Sequence, residues 1–367
     1  MSSKVAGLRN IVSVVVFFVV TQCSVVPHTD VDIDKEEYSL TIRMPDVVSD
    51  RADDLVCTGV KLDPAEAYLI RFKPHAKKET AHHMMVYGCH QPASHDASWH
   101  CFNTDNSDEN GVCGDGERQV LFAWAMDAPD KSLPEGVGIR VSGRTNIKYL
   151  VVQLHYATAF RPGITDNSGI TIDFTKKRPE QIANYLVLGN FGRIPPKQKA
   201  FYMESSCVFG QPFTIYPIGY RTHSHNLGYV TSGYRIRDGK WTEIGRMSPQ
   251  LPQTFYPVTN PGMDIRYGDV LVSRCTMNSM ARAEVTNIGP TNHDEMCNFY
   301  IMYSTFNPEQ QPTNYCFKDA NNYTWAVDET VDLSDIPDNL SSLEGIPGAE
   351  TVEKYFKTGA QEHHHKG

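Results

Sequence analysis

The cysteines constrain this chain most. There are nine, Cys23, Cys57, Cys89, Cys101, Cys113, Cys207, Cys275, Cys297 and Cys316. A basic start (Lys4, Arg9) precedes the apolar run Ile11–Val20, which is too short to span a bilayer and has the form of a secretory signal. Thr21 and Cys23 are small enough at −3 and −1 to allow cleavage before Ser24. Cleavage there removes Cys23 and leaves eight cysteines in an oxidising compartment, an even number suited to disulfides. Four lie before residue 114 and four after residue 206, so two units are expected, each closed by two bridges of its own. No later segment is apolar enough to cross a membrane.

Between the cysteines the chain breaks into short strand-like runs bounded by Pro, Gly, Asn and Asp. They begin at Tyr38, Ala67, Ile147, Gly169, Ala183, Gly228, Asp269 and Cys297. No long segment of helical period interrupts them. Such a pattern implies an all-β fold built as sandwiches or jelly rolls. The polar stretch Thr175–Gln181 contains a proline and lies between the two cysteine groups, which places a domain boundary there. The expected layout is a signal peptide over 1–23, an arm over 24–37, an N-terminal domain over 38–179 and a C-terminal domain over 180–325. Residues 326–367, acidic and poor in aromatics, read as a mobile tail ending in the tract His363–His365. Two sequons, at Asn322 and Asn339, fit a secreted glycoprotein. The net charge of −9, from 34 basic and 43 acidic residues, argues against a nucleic-acid backbone as partner.

Five histidines sit inside strand-like runs. On a strand, Arg221, His223 and His225 project from one face, which brings two imidazoles together with a guanidinium one step away. Met296, Asn298 and Tyr300 share a face by the same rule, while Cys297 faces the other way. A thioether beside two imidazoles would favour Cu(I) over zinc or iron. His82 and His83 are adjacent, so both reach one metal only where the backbone leaves regular strand geometry; His155 could then be the third imidazole. The alternatives are a satisfied core histidine at His155 and a core methionine at Met296. His28, His75, His90, His95, His100 and His293 read as isolated surface histidines. No G-x-S-x-G, H-E-x-x-H or phosphate-binding glycine motif supports another chemistry.

The blocks His82-His-Met-Met with Gly88-Cys89, Leu154-His-Tyr156, Tyr220-Arg-Thr-His-Ser-His225 and Glu295-Met-Cys-Asn-Phe-Tyr-Ile-Met-Tyr303 resemble the catalytic core of the peptidylglycine α-hydroxylating monooxygenase family, within the copper type II ascorbate-dependent monooxygenases. The resemblance runs over roughly residues 38 to 320 and includes Leu133-PEGVGIRV, Ser232-GYRIRDGKWTEIGR and Pro249-QLPQTFYPV. It implies two jelly-roll-like antiparallel β-sandwich domains facing across a solvent-filled cleft, with one copper each. His82, His83 and His155 would hold the electron-storing copper. His223, His225 and Met296 would hold the catalytic one, where O2 reacts. Arg221, Asn298 and Tyr300 would bind the substrate carboxylate. The implied disulfides are Cys57–Cys101, Cys89–Cys113, Cys207–Cys316 and Cys275–Cys297.

The implied activity is hydroxylation of the α-carbon of a C-terminal glycine, with ascorbate as reductant and O2 as co-substrate, on glycine-extended peptides in the secretory pathway, a granule lumen or the extracellular space. A monomer is expected. The chain ends before the lyase domain that many family members carry, so a separate lyase is expected to finish amidation. Asn167 stands where mammalian members have a further cysteine, Leu55 or Val56 replaces an aromatic near the substrate pocket, and Ser224 and Asn226 alter the second histidine motif. Two alternatives are a dopamine or tyramine β-hydroxylase, for whose amine substrate Arg221 has no use, and a secreted copper-binding protein without activity.

Overall fold

The computed structural model describes residues 35–101, 111–115, 117–125, 127–291, 293–311 and 313–358. The signal sequence with Cys23, the start of the arm and the terminal histidines lie outside the described residues. The fold is all-β. Each expected run is a strand, with no limit moved by more than two residues: Glu37–Arg43, Ala67–His75, Tyr149–Tyr156, Gly169–Thr175, Gln181–Phe191, Gly228–Arg237, Val270–Met277 and Cys297–Thr305.

The N-terminal half packs two sheets face to face. One has five strands in the order Trp99–His100, Asp54–Lys61, Tyr149–Tyr156, His83–Cys89 and Gln119–Ala125. Its central strand Tyr149–Tyr156 is buried at seven consecutive positions after Tyr149, because both faces are covered. The opposing sheet runs Glu37–Arg43, Gly169–Thr175, Ala67–His75 and Val137–Val141. Leu69, Phe72, Val86, Phe122, Leu150, Val152 and Ile172 fill the space between the two sheets. Phe72 stacks on Phe122 with ring centroids 4.6 Å apart.

That second sheet does not stop at the boundary. Val137 and Gly138 pair in parallel with Gln181 and Ile182, the first residues of Gln181–Phe191. The same strand then pairs over nine residues with Cys297–Thr305, which in turn pairs with Tyr216–His223. A separate sheet in the order Phe201–Val208, Val270–Met277, Gly228–Arg237, Lys240–Met247 covers this part. Ala183, Tyr185, Val187, Phe255, Tyr300 and Met302 belong to the same apolar cluster as the N-terminal core, so the two halves share apolar contacts.

Four disulfides close the halves separately: Cys57–Cys101, Cys89–Cys113, Cys207–Cys316 and Cys275–Cys297. Both C-terminal bridges tie the four-stranded sheet to the shared sheet, one through Cys316 on the strand Asn314–Asp319 and one through Cys297.

The chain beyond residue 325 corrects the expectation of a mobile tail as far as it is described. Val331 and Leu340 are buried with Trp241 and Trp325, and Leu343, Ile346 and Val352 join the second core. Arg246 donates to the carbonyls of Ser342 and Glu344. A helix, Ala349–Thr358, follows. The apolar residues of this stretch are scattered singly among acidic and turn residues. Average composition therefore hides them, although each finds a pocket. Leu340→Ala is expected to cost about 2–5 kcal/mol, measured by denaturant unfolding; an unchanged midpoint would mean that the segment contributes nothing to the fold.

Candidate metal centres and the cavity beside them

The two adjacent histidines are resolved by a bend. His83 opens the strand His83–Cys89, while His82 lies in the bend just before it. Outside the pleat the alternation of side chains no longer applies, and both rings turn the same way. The His82 amide donates to the carbonyl of His155 (2.8 Å), and His83 stands directly opposite His155 in the antiparallel ladder. His155 Nδ1 lies 3.3 Å from Nδ1 of His82 and 3.3 Å from Nδ1 of His83. One ligand atom from each of the three falls within 4.8 Å of the others. On its far side His155 Nε2 meets Asp53 Oδ1 at 3.1 Å, which fixes the ring with Nδ1 turned inward. Asp53 occupies a left-handed backbone position (φ 55°) just before Asp54–Lys61, a feature that spacing rules cannot reveal.

The second set is built from two loops. The strand Tyr216–His223 ends at His223, and His225 lies beyond it. His223 Nε2 is 3.2 Å from Met296 Sδ, and its Nδ1 is 2.6 Å from Gln253 Oε1. His225 Nδ1 is 3.0 Å from the carbonyl of Asp294. Its Nε2 is buried with no hydrogen-bond partner. A buried imidazole nitrogen without a partner is costly unless something binds it. Two imidazole Nε2 atoms and one thioether thus make a donor set that fits a soft cation.

Glu295, fully buried, joins the two loops. Its carboxylate accepts from the amides of His225, Leu227 (2.6 Å) and Met296 (2.7 Å). Burial raises its carboxyl above the usual range, against the pull of His225 and the three amides. It lies beside Met296 in sequence, but its function as a staple is visible only in the fold.

The two sets face each other. Ring centroids are 6.3 Å apart for His82 and His225 and 6.2 Å apart for His83 and His223. Burial, then repulsion from His155, His82, His223 and His225, holds His83 well below the usual imidazole value of 6.5. Burial, then Arg221 and His225, does the same for His223. Both rings are neutral at neutral pH, the form that binds a metal.

A cavity of about 320 Å³ opens beside them, bordered by His83, Arg221, His223, Met296, Asn298 and Tyr300. Arg221 is 1% exposed. Its Nε donates to the carbonyl of Gln253 (2.8 Å), its Nη2 to Gln253 Oε1 (3.2 Å), and its guanidinium carbon lies 5.2 Å from the Tyr300 ring centre. Burial lowers its pKa, partly opposed by Tyr300. No salt bridge to Arg221 is formed among the described residues. Leu55, named above as a departure, borders the same cavity.

Other expected residues lie apart. His75 bonds Thr171 Oγ1 (2.7 Å) and His100 bonds Asp54 Oδ1 (2.8 Å), so both have structural partners. Asn322 is exposed and Asn339 half-buried.

Two family models match the chain. One, the copper type II ascorbate-dependent monooxygenase N-terminal domain, covers residues 40–161; the other, the corresponding C-terminal domain, covers residues 181–328. The chain is 44% identical over 271 residues to peptidyl-glycine alpha-amidating monooxygenase A of Xenopus laevis, a match covering 73% of this chain and 28% of the relative. It is 43% identical over 275 residues to peptidyl-glycine alpha-amidating monooxygenase of Mus musculus, covering 74% and 27%. Dopamine beta-hydroxylase of Canis lupus familiaris is 28% identical over 265 residues, covering 67% and 42%. The chain thus spans under a third of the length of the amidating relatives.

Two outcomes are expected. Glu295→Ala should weaken copper binding at the His223, His225 and Met296 set at least about tenfold, a loss of about 1.4 kcal/mol, while the other set keeps its copper; chelator competition would measure both. The buried neutral histidines also set a pH dependence. Their folded pKa values lie below 6.5. The unfolded chain therefore takes up protons that the folded chain refuses as the pH drops through that value. Stability of the metal-free protein is full above about pH 6.5 and falls below it, by up to about 1.4 kcal/mol per pH unit for each histidine. Thermal melts between about pH 7.5 and 5 would show it, and a flat profile would contradict it.

Proposed function

The chain belongs to the copper type II ascorbate-dependent monooxygenase family, and on that premise we propose that it hydroxylates the α-carbon of a C-terminal glycine in peptides. The observation that carries the reading is Arg221. A guanidinium buried without an acidic partner among the described residues, on the wall of a cavity shared with His223 and Met296, calls for an anion supplied by the substrate. The carboxylate of a peptide C-terminus suits it, since guanidinium binds carboxylate through two parallel hydrogen bonds. Asn298 and Tyr300 border the same cavity and extend the clamp.

The donor sets fit the family's metal. His82, His83 and His155 would hold one copper through Nδ1, as the electron reservoir. His223 and His225 through Nε2, with Met296 Sδ, would hold the other, where O2 and substrate meet. Bound copper would supply one-electron chemistry, with ascorbate as donor and O2 as oxidant. In the balance, the glycine Cα–H becomes Cα–OH, the second oxygen atom leaves as water, and two electrons and two protons are consumed.

The protein's own part is placement. Arg221 anchors the carboxylate, so the α-carbon two bonds away is held against the His223 and Met296 wall. The cavity lining, with Met85, Tyr87, Val187 and Ile288, limits water around it. A second activity, a lyase, would release the amide from the hydroxylated product. The four disulfides support passage through the secretory pathway, and among the described residues no helix is long and apolar enough to cross a membrane. Hydroxylation of an amine such as tyramine fits less well, because its ammonium would be repelled by Arg221.

Mass spectrometry of a glycine-ended peptide incubated with copper, ascorbate and O2 tests the reading, with tyramine and dopamine run alongside. One oxygen gained at the glycine is expected. Hydroxylated amine with untouched peptide would move the chain to the sister activity. Arg221→Ala should raise KM by roughly 10- to 150-fold, the loss of one charge-assisted contact, and leave two coppers bound. Loss of copper would mean that Arg221 supports the metal set and not the substrate.

A further inference from the structure

The substrate arginine and the ligand histidine end on one atom, Oε1 of Gln253. Gln253 is 6% exposed and lies outside the strands, after Lys240–Met247. Its segment runs beside the ligand segment: Tyr256 and Tyr220 exchange both main-chain hydrogen bonds, and Gln250 Nε2 donates to the carbonyls of His225 (2.6 Å) and Gly228 (3.0 Å).

The orientation of the Gln253 amide is forced. Its Nε2 faces two acceptors, the carbonyls of Ser224 (3.1 Å) and Pro249 (2.9 Å). A flipped amide would set its oxygen against both carbonyls and its NH2 against the guanidinium. Oε1 is therefore the atom that meets His223 Nδ1 (2.6 Å) and Arg221 Nη2 (3.2 Å). Because Oε1 can only accept, His223 Nδ1 carries the ring proton. The lone pair then lies on Nε2, on the side of Met296. The backbone oxygen of Gln253 also holds Arg221 Nε (2.8 Å).

We propose that Gln253 is a positioning residue that sets the metal-binding tautomer of His223 and the aim of Arg221 together, so that the substrate carboxylate and the metal are registered against one amide. The substrate half of this inference rests on the function proposed above; the tautomer half does not. Nothing in residue type or spacing singles Gln253 out.

Two variants test it, with copper affinity by chelator competition, the copper–sulfur signal in X-ray absorption of the reduced protein, and the KM and kcat for a glycine-ended peptide. Gln253→Glu keeps an acceptor for His223 and sets a carboxylate against Arg221. The His223, His225 and Met296 set should still load copper and keep its sulfur signal, with KM at least about tenfold higher and kcat little changed. Gln253→Leu keeps the size and removes the acceptor. It should weaken copper at the His223, His225 and Met296 set at least about tenfold and alter the sulfur signal, while the His82, His83 and His155 set stays loaded.

A residue that only fills space would move melting temperature alike in both variants and would not separate KM from copper affinity. The inference is overturned if the leucine variant keeps wild-type copper affinity and sulfur signal, or if the glutamate variant leaves KM unchanged. If the glutamate variant does not load even the N-terminal copper, the leucine variant decides alone. If the wild-type protein oxidises no peptide, the proposed function fails, and copper affinity and the sulfur signal still decide the tautomer half.

Discussion

The site depends on the hydrogen bonding of one strand, Gln181–Phe191. At its first residues it pairs with Val137–Val141 of the N-terminal half, and along the rest with Cys297–Thr305 and Asn314–Asp319. Nine consecutive residues after Gln181 are buried, so their peptide groups must find partners within the protein. One sheet that runs through both halves supplies most of these partners, and Gln310 Nε2 reaches the carbonyl of Ala183 where no strand does. That sheet delivers Met296, Asn298 and Tyr300 at the start of Cys297–Thr305 and His223 at the end of the neighbouring strand. His83 and His155 reach the same place from the five-stranded sheet. The disulfides act within each half; the halves are joined by this shared strand, the apolar contacts around Tyr185, Phe255 and Met302, and polar contacts such as Arg140 Nη1 to the carbonyl of Pro308 and to Glu309.

Around the metal sets, polar groups are buried in a graded way. Each ligand imidazole whose second nitrogen is bonded is held by a different acceptor: Asp53 for His155, Gln253 for His223, the Asp294 carbonyl for His225. These acceptors differ in charge. Asp53 offers a carboxylate, whereas Gln253 and Asp294 offer a neutral amide and a neutral carbonyl.

Buried charge follows the same economy. Glu295 is enclosed, yet three amides surround its carboxylate. Arg221 is enclosed with amide and carbonyl oxygens and an aromatic face, none of them a full negative charge. The first arrangement is complete in itself and serves as a structural tie. The second has no acidic partner among the described residues to match its positive charge.

The sequence by itself determined the class of fold and which residues are candidate donors. Short strand-like runs such as Gly228-YVTSGYRIR and the even split of cysteines are local or compositional, and they survive any tertiary arrangement. The i, i+2 spacing of Arg221 and His223 likewise sets their common face before folding. What only the tertiary structure decided are the contacts between residues far apart in the chain. The bend that turns His82 and His83 the same way depends on the His82 amide reaching the carbonyl of His155. Asp53, Gln253 and Glu295 carry no motif of their own and acquire their distant partners only through strand pairing and loop apposition. The packing of Leu340, Ile346 and Val352 was also hidden, because single apolar residues carry no period to read. Their burial follows from pockets that the two Trp side chains and the second core make available.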